Sequence, residues 1–225
     1  MKLPIRLVNL IIFLSLATVP PFLAWAEELE NIINSVQAQY SRINDFSTEF
    51  EQYSRLKALG RTKVTRGKAF FKKPGMMRWD YQGDAGQKII SDGYTLWLYF
   101  PEDNQVQVGR FSRVWAGRTL TAFLTGMGDL RRDFEPSFAA EKKTDAEGNY
   151  LLLLKPKEAL GQLDKLVVAV DRQRYLLVSI SFTDRLGNLT QIRFKNIRIN
   201  QGLKNSLFTF TIPPDVDVIK ISPPE

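Results

Sequence analysis

The hydrophobic and polar positions of this chain change period once, near residue 45. From Glu28 to Ile43 the apolar residues Leu29, Ile32, Ile33, Val36, Tyr40 and Ile43 recur at helical spacing, which predicts an amphipathic helix with one apolar stripe. From Phe46 onward the period is two, with Phe46 and Phe50 on one face beside Thr48 and Gln52. Strand signals follow over about residues 65–73, 76–82, 87–91, 95–100 and 105–108. They resume over 150–154, 165–171, 175–182, 189–199 and 207–211. Pro74-Gly75, Asp92-Gly93, Pro101 to Asn104, Glu147-Gly148-Asn149 and Leu186-Gly187-Asn188 mark turns, and Asp-Gly between apolar runs is a strong hairpin signal. Many short hairpin-connected strands with two helices predict an α+β fold whose antiparallel sheet curls toward a barrel or half-barrel. The charged tail from Asp215 is expected to fray at its end.

Two segments stand out within this frame. In the strand after Pro74-Gly75, Met77, Trp79 and Tyr81 share one face and Met76, Arg78 and Asp80 the other. Such a face suits either a packed core or a hydrophobic ligand. The second segment, Arg118 to Leu130, interrupts the strands. Leu120, Phe123, Leu124 and Met127 form a helical stripe there, but three threonines and Gly126 and Gly128 weaken it, each glycine by about 1 kcal/mol relative to alanine. A helix this weak needs something to lie on. It suits a movable lid, and the same stripe also suits a plain core helix.

The first 26 residues read as a secretory signal peptide. Lys2 and Arg6 precede an apolar run from Leu7 to Val19, Pro20 and Pro21 stop it, and Ala24-Trp25-Ala26 offers an A-x-A cleavage site. The run is too short for a membrane anchor. The expected mature chain, residues 27–225, is exported and soluble, and its length suits a single domain. The formal charge is +7, two units of which lie in the leading segment. The rest is scattered, without the dense basic and aromatic block that would suggest nucleic acid, although it could favour anionic lipid surfaces.

The chain contains no Cys and no His. Disulfides, thiol nucleophiles, imidazole bases and ordinary transition-metal sites are therefore excluded, as is a lipid-attachment cysteine. Asp80, Asp84 and Asp92 lie in or near hairpins, and Glu49 and Glu51 on a strand. They read as turn formers and solvent-facing acids rather than a catalytic pair. No phosphate-binding fingerprint surrounds the short glycine clusters. The chain reads as a non-enzyme without cofactor or metal.

The apolar content carries more information. Trp97, Tyr99, Phe100, Leu166, Val168, Val170, Phe182, Phe194, Phe208 and Phe210 join Met77, Trp79 and Tyr81 on the predicted strands. Two short helices would leave part of such a sheet as a concave apolar face. The runs "GKAFFKKPGMMRWDY", "IISDGYTLWLYFPEDNQV", "LLLLKPK", "DRLGNLTQIRFKNIRIN" and "FTFTIPPDVDVI" occur in this order. Together they resemble the LolA-type periplasmic outer-membrane lipoprotein carriers over nearly all the mature chain.

The resemblance implies an incomplete, half-open antiparallel β-barrel with an apolar concave face under a helical lid. It implies a monomeric periplasmic carrier that takes lipoprotein acyl chains released by an inner-membrane ABC transporter and passes them to an outer-membrane acceptor. It places Met77, Trp79 and Tyr81 in the acyl-chain cavity and Leu120, Phe123, Leu124 and Met127 on the lid. It also suggests Lys73 as the lid latch, where the family carries an arginine that hydrogen-bonds lid backbone. A lysine offers a compact ammonium instead of a planar five-donor fork. Other readings stay open: an outer-membrane acceptor, disfavoured by the absent cysteine; a same-fold sensor of mislocalised lipoproteins, for which a second domain has little room; an enzyme, already reduced by the absence of His and Cys; and a broader lipid shuttle.

Overall fold

The computed structural model describes residues 21–83, 86–111, 121–126, 128–139, 143–157 and 163–221. The helical stripe near the start becomes α1, Pro21–Ser41, which begins before the predicted boundary. It is followed by β1 (Asp45–Leu56), β2 (Arg61–Lys72), β3 (Met76–Tyr81), β4 (Lys88–Asp92), β5 (Thr95–Phe100) and β6 (Gln105–Arg110). Two four-residue helices, α2 (Thr121–Leu124) and α3 (Leu130–Asp133), separate these from β7 (Phe134–Phe138), β8 (Tyr150–Pro156), β9 (Leu163–Val170), β10 (Leu177–Asp184), β11 (Leu189–Ile199) and β12 (Asp217–Ile221).

All twelve strands belong to one sheet in the order β12-β6-β5-β4-β3-β2-β1-β11-β10-β9-β8-β7. Its two ends are different strands that do not pair, so the barrel is incomplete, as the patterning and the resemblance predict. Neighbours run antiparallel except β12, which lies parallel to β6. The long hairpin of β1 and β2 forms the spine, in register from Asp45 opposite Lys72 to Leu56 opposite Arg61. β11 closes on the other side of β1 with a bulge at Ser47 to Glu49.

The period-two alternation then sorts side chains onto two faces. On the concave side Phe46, Phe50, Ala69, Phe71, Met77, Trp79, Leu154, Leu166, Val168 and Phe194 pack against Ile32, Ile33, Val36 and Tyr40 of α1. On the convex side Ile90 and Val106 are buried together with Phe208, apart from that core.

One predicted strand is corrected, and two strands lie outside the predicted set. Residues 207–211 are not a strand: Asn205–Phe208 is a 3-10 turn, and Phe208 inserts beside β3 and β4 while Phe210 lies 5.3 Å from the Tyr99 ring. Part of the apolar surplus thus covers the convex face rather than lining a concavity. Asp217–Ile221 joins the sheet edge through backbone hydrogen bonds that need no buried side chain, and the end of the tail, residues 222–225, lies outside the described residues. β7 was hidden by Pro136, which an outermost strand tolerates because one of its sides needs no donor.

Candidate functional site

The concave face is built around aromatic contacts between strands. Phe46 stacks on Phe71 with centroids 4.5 Å apart, and Trp79 meets Phe50 and Phe71 edge-on at 5.0 and 5.4 Å. Tyr81 meets Phe50 at 5.0 Å, and Phe194 closes the group 6.2 Å from Trp79. Gly67, opposite Phe50 on β2, makes room for that ring, since a Cβ there would stand 2.7 Å from the ring atoms. Met77, Trp79 and Tyr81 therefore do share one face, as their spacing predicts. Met77 and Trp79 are nearly covered, at 6% and 8% exposure, while Tyr81 is half-buried. The Tyr81 hydroxyl donates to Gln52 Oε1 at 3.0 Å, and burial raises its pKa to about 12.

Among the described residues, the segment expected as a lid forms one helical turn, Thr121–Leu124, over this face. Ala122, Phe123 and Leu124 of α2 are all buried, and Phe123 packs against Tyr40. Leu120 and Met127 of the predicted stripe lie outside the described residues. Gly126, at φ +74°, ends the turn, and Gly128 N donates back to the Ala122 carbonyl at 2.8 Å. The predicted stripe stops being helical by this glycine, whose left-handed backbone closes a helix rather than continuing one.

Two tethers hold this segment. At the α2 end, Gly75 N of the Pro74-Gly75 turn donates to the Thr125 carbonyl at 3.0 Å. At the other end, Asp129 caps α3 by accepting from Arg131 N and Arg132 N, and it also accepts from Gln37 Nε2 of α1 at 2.9 Å. Gln37 and Asp129 escape sequence reading because they meet across 92 positions.

Lys73 sits at the junction of these parts with a geometry other than the expected one. Its ammonium donates to the backbone carbonyl of Tyr40, near the end of α1, and to no backbone acceptor of the 121–126 segment among the described residues. Gly126 meets its aliphatic stem: a Cβ there would stand 2.6 Å from Lys73 Cγ and Cδ. The compact ammonium reaches one acceptor where a guanidinium fork could reach several. Burial lowers its pKa from the ordinary lysine value.

The acids take structural roles. Asp92 accepts from Tyr94 N and Thr95 N in its turn, Asp80 pairs with Arg78, and Glu51 bridges Arg66 and Lys195, which hold its pKa down at about 2. Asp84 lies outside the described residues. Asp45 is buried and gathers the backbone N–H groups of Gln201, Gly202 and Leu203, fixing the chain where it leaves β11. Among the described residues no cluster of acids is arranged to hold a metal, and no helix is long and apolar enough to cross a membrane.

An incomplete antiparallel barrel whose apolar face is filled by a long helix and a tethered helical turn defines the structural class. The family model of the outer membrane lipoprotein carrier protein LolA matches residues 41–211, and the chain belongs to that family. It is 30% identical to an outer-membrane lipoprotein carrier protein of Methylococcus capsulatus over 89% of this chain and 94% of that protein. It is 31% identical to one of Pseudomonas aeruginosa over 83% of this chain and 88% of the other. A crystal structure of an uncharacterized conserved protein from Thermus thermophilus shares the fold, with a TM-score of 0.54 at 10% identity over 86% of this chain and 99% of that one.

Proposed function

We propose that this protein is a non-enzymatic periplasmic carrier that shields the acyl chains of lipoproteins leaving the inner membrane and delivers them to an outer-membrane acceptor. The observation that carries this reading is the concave aromatic face closed by a short glycine-bounded turn, in a chain of the lipoprotein-carrier family. Burial of lipid chains is worth about 0.8 kcal/mol per CH₂, so an anchor with on the order of 40 methylenes faces a gross cost near ~30 kcal/mol in water. Such an anchor does not cross an aqueous space unaided.

Met77, Trp79, Tyr81 and the rings of Phe50 and Phe71 supply the wall for those chains. Phe123 and Leu124 cover it when the site is empty, because a bare apolar face of this size would invite association. Cargo replaces the lid against the same side chains, and this exchange keeps net binding weak enough for release. Met77 suits the exchange, since an unbranched thioether adapts to irregular contacts. The inner-membrane releasing transporter and the outer-membrane acceptor are the partners this cycle requires, and the carrier works as a monomer. The leading segment is removed after Ala26, so the mature protein begins at Glu27.

Mass spectrometry of material co-purifying with the protein from its native periplasm tests the reading. Lipoproteins in stoichiometric complex are the expected result. Free lipid alone would replace the lipoprotein carrier with a broader lipid shuttle, and a preparation without lipid or lipoprotein would overturn it.

A further inference from the structure

Two hairpin tips lie at the end of the sheet remote from Lys73, roughly 35 Å away along β1 and β2 at the usual rise per strand residue. The β1–β2 turn at residues 57–60 and the β10–β11 turn at residues 185–188 are fastened side by side. Lys57 N donates to Asn188 Oδ1 at 3.0 Å, and the Lys57 stem lies so close to Gly187 that a Cβ there would stand 2.7 Å from Lys57 Cδ. The β1–β2 ribbon projects beyond the helix-covered core: Phe50 is the last buried residue of β1, and Gly67 is the first of β2.

This double tip is both apolar and basic. Leu56, Leu59, Val64, Leu186 and Leu189 are exposed, with Leu59 at 64% and Leu186 at 75%. Residues 55–66 contain Arg55, Lys57, Arg61, Lys63 and Arg66 and no acid, and Arg185 adds a cation from the second tip. Arg66 pairs with Glu51, whereas the other five cations form no ion pair among the described residues. Asp184, beside them, is occupied by its own turn, accepting from Leu186 N, Asn188 N and Asn188 Nδ2.

We propose that the double tip docks on a lipid bilayer bearing anionic headgroups. Leu59 and Leu186 stand foremost, while Arg55, Arg61 and Lys63 sit one or more residues back on the strands. That order matches a bilayer surface, where aliphatic side chains enter the interfacial layer and cations remain at phosphate level. The unpaired positive charge supplies the complementarity, and the core makes no use of any of these side chains. The surface is independent of the cargo site, so this inference does not rest on the carrier reading.

Vesicle flotation tests it with protein exported by its own leader and purified from the periplasm. Wild type is expected to float with phosphatidylcholine vesicles containing about one-quarter phosphatidylglycerol, not with phosphatidylcholine alone, and to be released by high salt. Each cation near an anionic surface strengthens attachment by about fivefold, so Lys57→Gln/Lys63→Gln should weaken binding roughly twenty-five-fold. Leu59→Ser/Leu186→Ser should also weaken it, at unchanged charge. All four side chains lie outside the core, so the melting temperature should hold in both variants. Equal flotation of wild type and either variant, equal binding to neutral vesicles, or no binding to either composition would overturn the proposal. The last of these would leave an acidic protein surface as the partner.

Discussion

The ring of Phe123 lies 4.7 Å from that of Tyr40, centroid to centroid and tilted by 49°. This contact joins the lid turn to α1. Tyr40 connects three further parts of the molecule: its carbonyl accepts from Lys73, its hydroxyl accepts from Leu177 N of β10, and its ring meets Phe46 edge-on. These contacts converge on one tyrosine.

Tyr40→Phe should therefore destabilise the protein without removing the ring contact. The buried Leu177 N–H would lose its acceptor, which costs about 1–3 kcal/mol. At roughly 2–4 °C per kcal/mol for a domain of this size, thermal melting should fall by several degrees. A melting curve that overlays wild type would show that the amide finds another partner.

Stability should also fall at alkaline pH for a stated reason. Burial raises the phenol pKa of both Tyr40 and Tyr81, the latter to about 12 from an ordinary value of 10.0. The native state then holds the proton more tightly than the unfolded chain. This stabilisation is complete below pH 10.0 and is lost as pH rises toward about 12. Urea midpoints measured across that window should drop, and they should drop less in Tyr81→Phe. An equal drop in the variant would exonerate Tyr81.

Gly126→Ala tests the lid contact directly. The residue needs φ +74°, and its new methyl would meet the Lys73 stem at 2.6 Å. The backbone penalty alone is about 1 kcal/mol, and it falls on the closed form. Binding of a hydrophobic dye to the empty protein should increase while far-ultraviolet dichroism stays constant. Unchanged dye binding would mean that the lid does not open there.

Lys73→Leu should loosen the same junction from the other side, because the Tyr40 carbonyl loses its ammonium donor while the aliphatic stem remains. Hydrogen exchange should accelerate at Gly75 N, whose acceptor is the Thr125 carbonyl. Bound cargo should be handed over more slowly, since a weakened closed form competes less well for the aromatic wall. Wild-type exchange and wild-type transfer together would remove Lys73 from the latch role.

Met77→Glu separates a permanent core from an exchangeable wall. A carboxylate trapped at this 6% exposed position would cost several kcal/mol and threaten the fold. If the lid yields, the carboxylate reaches water, and the expected outcome is cooperative melting within a few degrees of wild type with lipoprotein uptake lost. Insolubility would place Met77 in an immovable core, and normal uptake would place it outside the binding wall.

Periodicity along the chain was enough for most of the elements and for the faces they present. Alternation put Met77, Trp79 and Tyr81 on one side of β3, and helical spacing put Ile32, Val36 and Tyr40 on one side of α1, because local geometry translates period directly into direction. The absence of Cys and His was likewise complete information about excluded chemistry. Only the tertiary structure decided what each face meets. Phe208 reads as one more strand aromatic, yet it seals the convex side, and Asp217–Ile221 joins a sheet edge more than a hundred residues away in sequence. Gln37 finds Asp129, and Lys73 reaches the Tyr40 carbonyl. Those pairings depend on which segments the folded sheet brings within about 3 Å, and side-chain reach of that kind leaves no periodic trace along the chain.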